Sequence, residues 1–291
     1  MGVFSSSGEK FKKTRKGREN GLHLARRAAR RNPEGTPPTV RALIAPDARI
    51  FVYIGVLIVL NDAALWAMRT HLHLSMRVAM LVTVMPVLVF LIIMLLHEIL
   101  HGNASRSVVV NCIAQGAVTA IGAMPIRGYQ VLHKMHHAYL NTRLDLEYMV
   151  AAPLLFRALT RVSQPIGIGL YAICYRRDVL RRAVRGNHFS MLASMCVAVL
   201  GAAARVRICG WSSLLELYVV MFLVFSAHPV NSRSHREHVF PLREHAQPTM
   251  SSYAPATYAL SAGVSLHVEH HDFPDIPSTR ASELARIAPS F

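Results

Sequence analysis

Long apolar segments limit the folds that this chain can adopt. Four of them, at residues 50–68, 78–96, 191–204 and 214–226, are rich in Val, Ile, Leu, Ala and Met. A helix of about 20 apolar residues crosses the hydrocarbon core of a bilayer, because it satisfies its own backbone hydrogen bonds there. The composition agrees, since 52% of the residues are hydrophobic and only 16% are charged. We therefore expect an all-α integral membrane protein with four transmembrane helices.

Half of the 16 histidines fall into three short clusters: HEILH at residues 97–101, HKMHH at 133–137 and HVEHH at 267–271. Residues three and four apart share one face of a helix, so each cluster can present its imidazoles together. Imidazole binds iron, zinc, copper and nickel, and eight imidazoles are too many for one ion. The clusters therefore predict a two-metal centre. The candidate ligands are His97, His101, His133, His136, His137, His267, His270 and His271.

Two further apolar stretches, at residues 108–126 and 150–171, are predicted not to cross the membrane. The second contains Arg157 and Arg161, and each arginine costs about 2.5 to 3.5 kcal/mol at a bilayer centre. It is therefore predicted to be an interfacial helix. The first has no charge, but a single crossing there would place the first two histidine clusters on opposite sides. We expect it to be re-entrant or interfacial.

Positive charge indicates which side of the membrane holds the clusters. Residues 1–49 carry 12 Lys and Arg against 4 Asp and Glu, and residues 102–190 carry 11 Lys and Arg, whereas the loops at 69–77 and 205–213 carry two Arg each. Cytoplasmic flanks of membrane helices are enriched in Lys and Arg. We therefore predict a basic cytosolic N-terminal segment at residues 1–48 and a membrane domain at 49–291 with a cytosolic histidine-rich cap. Without a nucleic-acid motif, the net charge of +16 does not indicate a nucleic-acid partner.

A histidine-rich site without thiolates beside a membrane suits iron that activates dioxygen on a lipid chain. Four acids in or near the clusters could accept hydrogen bonds from the imidazoles: Glu98, Glu237, Glu269 and Asp272. The first cluster also satisfies the HExxH pattern of zinc proteases, with Glu98 as general base. That reading leaves six clustered histidines unexplained. A non-catalytic metal-binding scaffold is a third alternative.

The three clusters resemble the HxxxH, HxxHH and HxxHH boxes of the membrane fatty-acyl desaturases, and all eight histidines match. Within that family the chain is most similar to the sphingolipid Δ4-desaturases that act on dihydroceramide. This closer resemblance rests on DFPDIP at residues 272–277, SSYAP at 251–255, ARIAP at 285–289 and Pro46-Asp47. It extends over roughly residues 26–291.

The resemblance implies a cofactor, a reaction and partners. Two iron ions and the co-substrate O2 would introduce a Δ4 double bond into the sphingoid chain, with electrons from cytochrome b5 and its NADH-dependent reductase. Desaturation of another acyl lipid and C4-hydroxylation of a sphingolipid remain as alternatives. A family Glu-His pair matches Glu237-His238, which makes His238 a ninth candidate ligand. The family also implies the endoplasmic reticulum, with both termini cytosolic.

Two short sequence motifs match sites of covalent modification. The first six residues, MGVFSS, fit N-myristoylation of Gly2. Residues 103–105, Asn-Ala-Ser, fit a glycosylation sequon. The predicted topology places this sequon on the cytosolic side, so we expect Asn103 to be unmodified.

Overall fold

The computed structural model describes residues 38–140, 144–147, 152–162, 164–225 and 249–287, and the regular structure within these ranges is helical throughout. The helices are α1 (Pro38–Leu43), α2 (Arg49–His71), α3 (Leu74–Val82), α4 (Val84–His101), α5 (Val108–Gly122), α6 (Ile126–Tyr139), α7 (Leu154–Val162), α8 (Gln164–Tyr175), α9 (Arg177–Val184), α10 (His188–Cys209), α11 (Trp211–Phe225), α12 (Pro255–Leu260), α13 (His267–Asp272) and α14 (Ala281–Ile287). The prediction of an all-α protein is confirmed for these residues. Gly2, Glu237 and His238 lie outside them.

Among the described residues, three helical segments are long and apolar enough to cross a membrane. They are α2, α3 with α4 (Leu74–His101), and α10, with mean hydropathies of 2.0, 3.0 and 1.8. Each contains one of the predicted spans, at residues 50–68, 78–96 and 191–204. In the most apolar part of α10 only 6% of residues are buried within the protein. Such an exposed apolar surface is compatible with lipid rather than with water.

The apolar stretch at residues 108–126 forms α5 and the start of α6. The helix axis changes direction by 120° between them, around Ala123, which has a φ of 49°. The chain thus turns back sharply instead of continuing as one straight helix. The geometry is that of a re-entrant loop or of a broken span, and the re-entrant assignment stays a prediction.

The predicted fourth span, residues 214–226, corresponds to α11. This helix has 15 residues, fewer than the about 20 that cross a bilayer without tilt or thinning. Leu217, Val220 and Val224 pack in one core cluster with residues of α2 and α4. Glu216 also joins α11 to α2, since it accepts two hydrogen bonds from Arg69 at 2.9 and 2.7 Å. The helix belongs to the bundle, and a fourth complete crossing stays a prediction.

The predicted interfacial helix at residues 150–171 is two helices. Pro165 lies in the first turn of α8, where its missing N–H is tolerated but where it could not continue α7. Phe156 of α7 packs against Tyr171 of α8, with ring centroids 5.9 Å apart. The pair buries its apolar faces against each other, which a single helix could not do.

The C-terminal residues pack against the segment that precedes the first long helix. Leu43 of α1, Phe273 and Leu284 share one core cluster. The Thr279 hydroxyl donates to Asp47 at 2.7 Å, and Arg280 donates to the carbonyl of Ala45 at 2.9 Å. These contacts place α13 and its histidines over the end of α4.

Candidate metal centre

Each histidine cluster lies on a helix. His97 and His101 occupy the last turns of α4, which continues five residues past the predicted end at Leu96 and stops at Gly102 with a φ of 84°. The second cluster lies on α6 and the third on α13. The i, i+3 and i+4 spacing therefore does place each set on one helical face. Three separate helices then bring these faces together.

Five imidazoles converge at the end of α4. The Nε2 atom of His133 lies 2.7 Å from that of His97, 3.2 Å from that of His101 and 2.9 Å from that of His137. The Nε2 atoms of His137 and His270 are 3.1 Å apart. One ligand nitrogen from each of the five lies within 4.8 Å of all the others. With metal–nitrogen bonds of about 2.1 Å, neighbouring donors lie about 3 Å apart and opposite ones about 4.2 Å. The spacing is that of donors around one ion.

The other three histidines adjoin this group. The Nε2 atoms of His267 and His271 are 3.1 Å apart. The ring of His271 lies 5.0 Å from that of His136 and stacks on that of His137 at 4.2 Å, centroid to centroid. All eight clustered histidines therefore meet in one place, as the sequence predicted. The position of His238 lies outside the described residues.

The chemistry of this donor set fits a metal. A neutral imidazole has one N–H and one lone pair, so the three contacts of His133 Nε2 with other Nε2 atoms cannot all be hydrogen bonds. A cation among these nitrogens would remove the remaining repulsion. Burial, followed by the neighbouring His97, His101 and His133, lowers the pKa of His270 well below its usual value. The ring is therefore neutral and keeps a lone pair for a metal. The four cysteines are exposed and stand apart from this all-imidazole set.

Two buried carboxylates orient ring nitrogens. Glu98 Oε1 lies 3.2 Å from His97 Nδ1, and Asp145 Oδ2 lies 3.0 Å from His136 Nδ1. A carboxylate at Nδ1 holds the proton there and leaves Nε2 to face the cluster. The role of Glu98 was predicted. Asp145 was not, because it lies in residues 144–147, where no spacing relates it to a histidine box.

The remaining predicted acids have other surroundings. Glu269 accepts hydrogen bonds from the hydroxyls of Ser251 and of Tyr253, the latter at 2.8 Å. It therefore ties the segment before α12 to α13. Asp272 is buried beside His271. Glu237 lies outside the described residues.

The surroundings of Glu98 argue against a protease. Its side chain is fully buried, and Oε2 accepts hydrogen bonds from the Asn103 amide at 2.9 Å and the Ser278 backbone N–H at 2.8 Å. A general base must reach a metal-bound water. Glu98 instead joins α4 to the C-terminal segment, and its neighbour His97 is one of five histidines around the same point.

Comparisons with known proteins agree with this geometry. The sequence model of the family "Fatty acid desaturase" matches residues 72–291. The human sphingolipid delta(4)-desaturase/C4-monooxygenase DES2 is 26% identical over 270 residues, which cover 87% of this chain and 78% of the human protein. Sphingolipid delta(4)-desaturase DES1 of Xenopus tropicalis is 23% identical over 267 residues, with the same two shares. No solved structure gives a significant match.

The family match covers most of the chain and includes all three histidine clusters. The described helices include three that are long and apolar enough to cross a membrane. His97 and His101 lie at the end of one of these helices, and the other clustered histidines meet them there. The chain therefore belongs to the fatty acid desaturase family, and it is a membrane-embedded oxidoreductase.

Proposed function

We propose that this chain is a di-iron, O2-dependent lipid desaturase that introduces the Δ4 double bond into the sphingoid chain of dihydroceramide. The family supports the desaturase chemistry. The relatives that cover most of the chain are named as sphingolipid delta(4)-desaturases, which supports the substrate and the position of the bond.

One observation carries the proposal, namely that eight imidazoles from α4, α6 and α13 meet at the end of an apolar helix. Five of them surround one point, and His136, His267 and His271 lie beside it. Two ions held by these residues, with His238 as a further candidate ligand, account for the whole set. A single zinc ion at the first point would leave His136, His267 and His271 without a role.

The described side chains hold and orient this centre. Glu98 and Asp145 fix the protons of His97 and His136 on Nδ1, so both rings face the cluster through Nε2. Five of the eight histidines are buried, namely His97, His133, His136, His267 and His270, and this limits the access of bulk water to the centre. Substrate carbons must approach the centre in one orientation, because small misplacements change the outcome.

Two iron ions, when bound, would activate O2, which is the oxidant that removes two hydrogens from adjacent carbons. In balance, CH2–CH2, O2, two electrons and two protons give CH=CH and two molecules of water. The electrons must come from outside the chain. In line with the family resemblance, we assign them to cytochrome b5 and its NADH-dependent reductase, on the endoplasmic reticulum.

The proposed topology has four spans, with α11 as the fourth, and places the histidine cap and both termini in the cytosol. The distribution of Lys and Arg supports this orientation. It is tested in sealed microsomes with a membrane-impermeant maleimide. With all other cysteines replaced by serine, Cys209 should react only after the membrane is opened, whereas Ser282→Cys should react at once. The reverse pattern would invert the topology.

The function is tested by metal analysis of the purified, detergent-solubilised chain together with lipid analysis of expressing cells. The variant His270→Ala/His271→Ala is compared with the wild type and with His188→Ala, a matched exposed histidine outside the clusters. We expect about two irons per wild-type chain and a new Δ4 double bond in cellular ceramide. Both should be lost in the double variant and kept in His188→Ala.

Each other outcome has a definite meaning. One zinc per chain, retained in the double variant, would support the HExxH protease and exclude the desaturase. Full biological activity of the double variant would support a scaffold. A double bond in another acyl lipid, with ceramide unchanged, would keep the chemistry and correct the substrate.

C4-hydroxylation is the second candidate, because relatives such as the human and mouse proteins carry both activities in their names. Its balance differs, since one oxygen atom enters the chain and one leaves as water. Mass spectrometry separates the two products, as desaturation subtracts two hydrogens and hydroxylation adds one oxygen. The ratio of the two products reports how the substrate carbons are positioned relative to the metal centre.

A further inference from the structure

A cavity of about 400 Å³ lies on the far side of the helix that carries the second histidine cluster. Its polar lining comes from Arg127, Gln130, Lys134, Tyr139, Arg182 and Asn187. The first four belong to α6, Arg182 belongs to α9, and Asn187 precedes α10. The cavity therefore lies where three helices meet, outside the histidine cluster.

The cavity face of α6 is set by helical spacing. Arg127, Val131, Lys134 and Ala138 follow one another at intervals of four, three and four residues, so they share a face. The histidines of this helix point toward the metal centre instead. The cavity is thus a second surface of α6 that the proposed desaturase chemistry does not use.

Within the described ranges, the cations that line the cavity have no carboxylate partner. None of the described lining residues is an Asp or a Glu, and among the described residues no ion pair includes Arg127, Lys134 or Arg182. Like charges brought to one cavity repel one another, so an anion between them is favoured.

Arg127 is held in place by neutral partners. Its Nε donates to the Ser190 hydroxyl of α10 at 3.2 Å, and its NH1 donates to the Gln130 side chain. Gln130 in turn donates to the Leu100 carbonyl at 3.0 Å. The guanidinium is therefore pre-positioned, and the cavity is joined to the helix that carries His97 and His101.

The position of the cavity indicates the source of the anion. Asn187 is the residue before α10, one of the helices long enough to cross a membrane. Arg182 lies on α9, which buries Val179 and Ala183 and exposes its arginines. A cavity at the end of a spanning helix, beside a basic amphipathic helix, lies at the level of lipid headgroups.

We propose that this cavity binds the phosphate of an anionic phospholipid headgroup. Arginine and lysine donate charge-assisted hydrogen bonds to phosphate oxygens, and the Asn187 amide can add a neutral one. A concave site of this volume suits a small headgroup. An acidic protein would instead need a broad, exposed surface. This inference needs only the membrane location and does not depend on the Δ4 activity.

The test is lipid binding to the full-length, detergent-solubilised chain, followed by native mass spectrometry. Dioleoyl phosphatidic acid is titrated against dioleoyl phosphatidylcholine, which carries a phosphate but no net charge. The test variant is Lys134→Gln/Arg182→Gln. The matched control is Arg181→Gln/Arg185→Gln, which removes two exposed arginines of the same basic segment that do not line the cavity.

We expect saturable binding of phosphatidic acid that weakens about tenfold or more in the test variant and is unchanged in the control. Far-UV circular dichroism and size-exclusion elution verify that the variants are folded. If the double variant fails that check, Arg182→Gln alone is used, because its exposed side chain has no ion pair among the described residues.

Four results would overturn the proposal. Equal weakening in both double variants would indicate diffuse surface charge. Equal affinities for phosphatidylcholine and phosphatidic acid would show that the net charge of the lipid does not contribute to binding. Displacement of the lipid by millimolar inorganic phosphate would indicate a site for a soluble anion. Unchanged lipid binding in the test variant, together with lost binding of a soluble acidic electron-donor protein, would indicate a protein-docking surface.

Discussion

The Nδ1 atom of His136 lies 3.0 Å from Oδ2 of Asp145, and both side chains are almost fully buried. The second oxygen of Asp145 accepts a hydrogen bond from the Glu147 backbone N–H at 2.8 Å. One carboxylate thus fixes both the ring of His136 and the backbone of residues 144–147. The same arrangement of carboxylate and imidazole occurs between Glu98 and His97.

Asp145→Asn should lower iron affinity about 10- to 100-fold, the usual effect of losing a partner of a metal ligand. Asparagine replaces one of the two carboxylate oxygens with an NH2 donor, so the two positions that face His136 and Glu147 can no longer both accept. Iron retained after dialysis against a graded series of chelators measures the change. Asp178→Asn, on the exposed face of α9, is the matched control. Equal iron retention in the two variants would contradict the orienting role of Asp145.

Asn103 should remain without glycan although it lies in a sequon. Its amide is buried and donates to Glu98 and to the Pro274 carbonyl, each at 2.9 Å. Asn103→Gln should therefore lower the free energy of unfolding by about 1 to 3 kcal/mol, because buried acceptors lose their donor. Thermal unfolding in detergent measures this loss, and endoglycosidase treatment should leave gel mobility unchanged.

Ser105→Ala is the control for that prediction, since it removes the sequon and leaves the Asn103 contacts in place. It should have nearly wild-type stability. A mobility shift that disappears in both variants would show that Asn103 is glycosylated. The buried contacts would then have to be absent in the folded protein.

Gly201→Ala should destabilise the packing of α10 against α5. A Cβ at position 201 would collide with the backbone carbonyl of Ala120, and backbone cannot move aside as a flexible side chain can. We expect a loss of about 1 to 3 kcal/mol, typical of overpacking, seen as a lower melting temperature. Gly55→Ala has open space around the new Cβ and should be neutral or stabilising. Equal effects of the two changes would exclude close packing at Gly201.

Asp47→Asn should lower stability at neutral pH, and the difference should shrink in acid. Hydrogen bonds from Arg49 and Thr279 outweigh burial and hold the pKa of Asp47 well below its usual value. A lowered pKa stabilises the fold fully above the unfolded-state pKa of about 3.9. The contribution is lost as pH falls through that value toward the folded-state pKa.

The measurement is the difference in melting temperature between wild type and Asp47→Asn from pH 7 to pH 3.5. Thr279→Val removes one of the hydrogen bonds to Asp47 and should lower the melting temperature by part of the amount seen for Asp47→Asn. A difference that is constant over this range would mean that Asp47 acts through packing rather than through its charge.

The helical class, three helical segments long and apolar enough to cross a membrane, and the helical faces that carry the clustered histidines were predictable from local patterns. A run such as residues 78–96 is apolar enough that only a helix in lipid satisfies its backbone. The i, i+3, i+4 spacing of His133, His136 and His137 depends only on helix geometry, so it needs no knowledge of the fold. His238, the ninth candidate ligand, and Gly2, the predicted lipidation site, lie outside the described residues and stay predictions.

Tertiary structure alone decided which groups meet. The contact of Asp145 with His136 and the three bonds of the Asn103 amide to Glu98, Pro274 and Ile276 depend on neighbours outside the local pattern. Periodicity describes one element at a time, whereas hydrogen bonds and packing between elements depend on how those elements are placed. The sequence by itself thus determined that imidazoles would be presented on helices beside a membrane. Their convergence on one buried point follows from how α4, α6 and α13 pack.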